Sequence, residues 1–107
     1  MGHVGAPERT VYCASKHAVE GMVKALAVEL APDGIRVVSV APTFVRTEMT
    51  AVQLDDPALA ARALEQIPLG RFATVDDVAA AVAWAASPAA AMLTGTSLVV
   101  DGGWTAR

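Results

Sequence analysis

The sequence predicts an α/β protein, built as two strands of a doubly wound parallel sheet with helices packed between them. Two short β-branched runs, Ile35–Ala41 and Ser97–Val100, carry little polar alternation, as expected of parallel strands covered on both faces. Helical periodicity precedes the first run and fills the interval between the two, so the strands are joined by a helical crossover. Two strands are fewer than such a sheet needs to stand alone, and the chain reads as part of one.

The elements follow in order. From Val11 to Leu30 apolar residues recur at helical spacing, with Ala18, Met22, Ala25, Leu26 and Leu30 on one broad stripe, and Pro32-Asp33-Gly34 supplies the stop. Thr10 starts this helix. Ile35 to Ala41 forms the first strand and Pro42 ends it. Asp56 before Pro57 gives an N-cap and a first-turn proline, opening a second helix to about Gln66. Thr74-Val75-Asp76-Asp77 has the form of a capping box with Asp in place of Glu, opening a third helix that runs through Trp84 and stops near Ser87-Pro88. Ser97 to Val100 is the second strand, after which Gly102-Gly103 turns the chain away. No internal repeat, linker or domain boundary interrupts this series.

With 107 residues and 54% hydrophobic content, the chain holds at most one domain and is too apolar to be disordered. Eight basic and eleven acidic residues give a net charge of −3 without a run of either sign. That distribution excludes a nucleic-acid footprint and a polybasic membrane patch, leaving small molecules as the expected partners. The charge-free stretch from Val78 to Thr96 is broken by Pro88 and Gly95, so it reads as a buried helix and strand approach instead of a membrane span. One cysteine, Cys13, and no charged-then-apolar leader point to a reducing cytoplasm.

Chemistry is concentrated in Tyr12-Cys13-Ala14-Ser15-Lys16. On a helix, Tyr12 and Lys16 lie one turn apart on one face. A phenol is a weak acid–base catalyst at neutral pH, but a nearby positive charge favours its phenolate, which suits the pair to protonating a carbonyl oxygen or deprotonating a hydroxyl. A half-buried Tyr and a solvated Lys on an amphipathic helix is the competing reading, and the downstream sequence decides against it. Ser15 is assigned to packing or a local hydrogen bond and Cys13 to packing. His3 and His17 lack partners at metal-ligand spacing and are expected at the surface or in subunit contacts.

Four further segments extend the pattern. Tyr12–Ala18 resembles the catalytic helix of the short-chain dehydrogenase/reductase family, and Gly34–Pro42 resembles the strand that follows it. Thr43-Phe44-Val45-Arg46-Thr47 resembles that family's nicotinamide loop, Leu69-Gly70-Arg71-Phe72 its Gly-Arg turn, and Thr94-Gly95 through Val100-Asp101-Gly102-Gly103 its closing strand. The resemblance implies the C-terminal part of a Rossmann-like sheet and an NAD- or NADP-dependent enzyme that interconverts a carbonyl and a secondary alcohol. It makes Tyr12 the general acid–base, and Lys16 a residue that both tunes that phenol and hydrogen-bonds the nicotinamide ribose. Pro42, Val45 and Thr47 then border the cofactor, and Thr47 to Pro68, with Met49, Gln53, Leu54 and Leu64, forms the substrate lid. It implies a small-molecule substrate, a homo-oligomer, and no metal.

Two parts of the family pattern are missing. No Gly-x-x-x-Gly-x-Gly turn follows a strand here, and the eleven residues before Tyr12 include no Ser for the catalytic position. Residues 1–107 are therefore expected to be the catalytic and substrate half of a single domain, inactive alone. The family's Asn-Pro-Gly also becomes Ala41-Pro42-Thr43, and Thr43 disfavours positive φ. The rival expectation is a non-catalytic interaction module in which the long helix and the last strand serve only as assembly surfaces.

Overall fold

The computed structural model describes residues 1–106, apart from the side chain of Gln53. In chain order they form α1 (Thr10–Leu30), β1 (Val38–Pro42), α2 (Glu48–Leu54), α3 (Pro57–Leu64), α4 (Val75–Ala86) and β2 (Thr96–Val100), with short 3₁₀ turns at Ala31–Asp33 and Pro88–Ala90. β1 and β2 are neighbours in a two-stranded parallel sheet, which places the chain in the expected α/β class. The chain divides into two compact units, Met1–Ser39 with Trp84–Leu98, and Val40–Ala83 with Val99–Arg107.

The first unit is organised by α1. Its stop is the one the sequence implies: Gly34 sits at φ 72°, where a Cβ would be strained, and its N–H donates to the Ala31 carbonyl while Ile35 N–H reaches Leu30. The buried face differs from the expected stripe. Val23 and Ala27 are buried, and Cys13, Glu20, Leu26 and Leu30 are partly covered, whereas Ala18, Met22 and Ala25 are exposed. Because α1 is apolar around most of its circumference, spacing alone did not select the face. Glu20, which interrupts the apolar pattern, lies on the covered side. The first strand also begins three residues later than expected, at Val38, since Ile35 follows the left-handed turn and is half-exposed. Arg36 leads into it by donating to the carbonyls of Leu93 at 3.1 Å and Ser87 at 3.4 Å.

The second unit has its core at Leu54, Ile67 and Ala73. α3 starts as predicted, with the Asp56 carboxylate accepting the N–H groups of Ala58 and Leu59 ahead of Pro57, and it stops at Leu64, two residues short of Gln66. The capping box of α4 forms in full: Asp77 N–H donates to the Thr74 hydroxyl at 3.2 Å and Thr74 N–H donates back to the Asp77 carboxylate at 2.8 Å. α2 was not expected. Its start is a Thr-x-x-Thr version of the same box, in which Thr47 N–H donates to the Thr50 hydroxyl at 2.9 Å. After β2, Gly102 and Gly103 turn the chain at φ 62° and 91°, and a Cβ on Gly102 would lie 2.6 Å from Ile67 Cγ2. Only glycine permits both the angle and the approach.

Candidate active site

Tyr12 and Lys16 stand on the N-terminal half of α1, where residues 10–13 form the first turn behind Arg9. The structure brings them together: Lys16 Nζ lies 5.4 Å from the centroid of the Tyr12 ring, within cation–π range. Tyr12 is 50% exposed, so its phenol is presented outward and not spent in the core. Ser15 donates to the Tyr12 carbonyl at 2.8 Å, the local bond its position suggested. Cys13 is half-buried with its thiol 3.8 Å from the Met1 sulfur. His17 is exposed and bonds the Cys13 carbonyl at 2.9 Å. Among the described residues no cluster of His, Cys, Asp or Glu has metal-site geometry.

Pro42, Val45 and Thr47 belong to the second unit, at the carboxyl end of β1 and in the loop after it, which is where ligands bind in parallel sheets. Val45 forms an isolated parallel bridge with Ala73, made by the Phe44 carbonyl and the Arg46 N–H. The bridge therefore turns Val45's own N–H and carbonyl away from Ala73. That carbonyl accepts from the Thr50 hydroxyl at 2.6 Å, while the Thr47 hydroxyl lies 3.3 Å from the Thr50 Oγ1. Thr50 thus ties the loop to α2, a role concealed in the sequence because a threonine three residues after another does not stand out as a cap.

The electrostatics of this unit centre on two aspartates. Asp77 accepts both arms of Arg71, at 2.6 and 3.0 Å. That hydrogen-bonded guanidinium, helped by the N–H and hydroxyl of Thr74, holds the Asp77 carboxyl well below the usual range and raises the Arg71 value. Asp101, 8% exposed, is pulled two ways. Burial works to raise its pKa, but the hydroxyl and N–H of Thr105 and the N–H groups of Gly103 and Trp104 overcome that and leave it lowered. Both aspartates therefore shape the Gly-Arg turn and the turn after β2. An open cleft of about 560 Å³ lies between these turns, lined by Thr43, Leu69, Arg71, Val99 and Gly102. It includes none of Pro42, Val45 and Thr47.

A family model described as Enoyl-(Acyl carrier protein) reductase matches residues 1–105. The chain belongs to the short-chain dehydrogenase/reductase family. Among its curated relatives is D-erythrulose reductase of Gallus gallus, 44% identical over 97 residues that cover 91% of this chain and 39% of that protein. The structure of 4-hydroxyisoleucine dehydrogenase complexed with NADH superimposes with a TM-score of 0.95 at 36% identity, covering 99% of this chain and 44% of the other. A gluconate 5-dehydrogenase from Burkholderia cenocepacia J2315, in complex with NADP and tartrate, gives 0.92 at 31% identity, covering 99% and 42%. The chain thus spans about two fifths of the length of these short-chain dehydrogenases and reductases.

Proposed function

We propose that the whole protein is an NAD(P)-dependent oxidoreductase interconverting a carbonyl and a secondary alcohol, and that residues 1–107 are its catalytic and substrate half. The observation that carries this reading is the outward-facing Tyr12 phenol with the Lys16 ammonium 5.4 Å from its ring. In reduction the Tyr12 hydroxyl donates a proton to the carbonyl oxygen, and in oxidation the phenolate removes it from the alcohol. Lys16 supplies a positive charge beside the Tyr12 ring and a donor for a ribose hydroxyl. Beside this pair, a nicotinamide would supply or accept the hydride.

The loop residues fit such a cofactor. Val45 presents an N–H turned away from its bridge, suited to a carboxamide carbonyl, and the half-buried Thr47 hydroxyl offers a second polar contact beside it. Pro42 fixes the backbone at the head of the loop. No glycine-rich turn suited to a pyrophosphate occurs within these residues. Relatives named for sugar chemistry, together with the mixed apolar and polar lid at α2 and α3, support a small hydroxylated carbonyl as substrate. Homo-oligomeric assembly is part of the same reading, supported by the apolar side chains that α1 leaves exposed. No helix among the described residues is long and apolar enough to cross a membrane. A cytoplasmic setting belongs to the same reading.

Titration with NADH and NADPH, followed by nicotinamide fluorescence, tests the proposal once these residues are joined to a nucleotide-binding half. One of the two cofactors should bind and be oxidised on addition of a short ketose. Binding of neither would favour the interaction-module reading.

A further inference from the structure

Glu20 is the one carboxylate on the covered face of α1, two turns beyond Tyr12 and one beyond Lys16. Its side chain is 14% exposed. A carboxylate in that position is costly unless its oxygens are bonded. The Ser39 hydroxyl, on β1, donates between its two oxygens at 2.9 and 3.0 Å, and the Ser97 hydroxyl, on β2, lies 3.5 Å away. His3 Nε2 stands 3.7 Å away. The N-terminal segment presses on the same turn, because a Cβ on Gly2 would lie 3.0 Å from Glu20 Cγ and 3.1 Å from the Lys16 carbonyl. Both strands and the N-terminal segment therefore converge on the helical turn from Lys16 to Glu20.

The rest of the covered face is smooth. Val23 and Ala27 make its buried contacts, with Gly95 so close that a Cβ there would stand 3.3 Å from the Ala27 Cβ. Small apolar contacts of this kind bury area but are non-directional, so they set the spacing of α1 better than its rotation or axial position. Hydrogen bonds to a carboxylate tolerate only a few tenths of an ångström and a limited range of angles. From this we infer that Glu20 is a positioning residue: its bond to Ser39, with Ser97 close beside it, locks the rotation of α1 and hence the placement of Tyr12 and Lys16. The inference rests on reading that pair as the proton-transfer pair. It assigns Glu20 no contact with substrate or cofactor.

Cys13, the sole cysteine, adjoins Tyr12 and is half-buried, so its alkylation rate reports how firmly this part of α1 is held. In the chain as it stands, Glu20→Ala should raise that rate at least about tenfold, the scale of one lost charge-assisted bond. Glu20→Gln, which keeps an acceptor for a serine hydroxyl, should stay near the native rate. Val23→Ala serves as the control for lost stability alone. If Glu20→Ala does not fold, Ser39→Ala combined with Ser97→Ala carries the same test with Glu20 in place. In the complete enzyme, Glu20→Ala should lower kcat about 10- to 100-fold, with Glu20→Gln restoring it. Native labelling in folded Glu20→Ala, or equal acceleration in Val23→Ala, would overturn the positioning role. If labelling behaves as expected while Tyr12→Phe retains turnover, the proton-transfer reading fails and the anchoring of α1 stands.

Discussion

At the scale of single residues, charge is placed where it is satisfied locally. Arg71 and Asp77 form a two-armed pair at the surface, and the Asp101 carboxylate is wrapped by the N–H groups after β2. Both carboxyls titrate lower in the folded chain than in the unfolded one. The stability they contribute is present above the unfolded carboxylate value of about 3.9 and is lost as the pH falls through their lower folded values. Urea unfolding measured from pH 6 down to pH 2 should therefore show a steep loss in the native chain below about pH 4. Asp77→Asn should flatten that loss while reducing stability at pH 6, and an unchanged acid limb in this variant would show that the pair contributes nothing to folding.

Among the elements, caps were legible and faces were not. Asp56 before Pro57 and Thr74 before Asp77 announce α3 and α4, because each motif is a local bond between a side chain and a backbone group a few residues away. The covered face of α1 depends instead on Ser39 and Ser97, 19 and 77 residues from Glu20, and no local pattern reveals such partners. The unseen α2 has a related cause: its cap pairs Thr47 with Thr50, and a threonine in place of Glu or Gln three residues on does not mark a helix start. Tyr12, Lys16 and the loop residues Pro42, Val45 and Thr47 stood out through the order of motifs and not through any one spacing. Thr50→Val removes the hydroxyl that joins Val45 to α2 and should cost about 0.5–2 kcal/mol in denaturant unfolding. In the complete enzyme it should also weaken nicotinamide binding. Thr74→Val, which uncaps α4, should show a comparable stability loss with cofactor affinity unchanged. Equal cofactor affinities in the two variants would detach the Val45 loop from the nicotinamide.

For the whole molecule, the apolar surface is what stands out. Val11, Met22 and Val28 on α1 are 83, 55 and 77% exposed, and Met49 and Val52 on α2 are 89 and 84% exposed. Surfaces of this kind recruit other chains. Size-exclusion chromatography with light scattering should therefore find the 107-residue chain self-associated, and a monodisperse monomer with a cooperative thermal melt would show that it closes its own core.

On the proposed function, Tyr12 moves the proton in a nicotinamide-dependent carbonyl–alcohol exchange. Turnover and cofactor affinity of Tyr12→Phe, compared with the native residue in the complete enzyme, decide this, because the change removes one hydroxyl and almost no volume. Nicotinamide binding should stay close to native while turnover falls by at least about a hundredfold. A Tyr12→Phe enzyme that binds its cofactor and keeps more than about a hundredth of the native rate would contradict it.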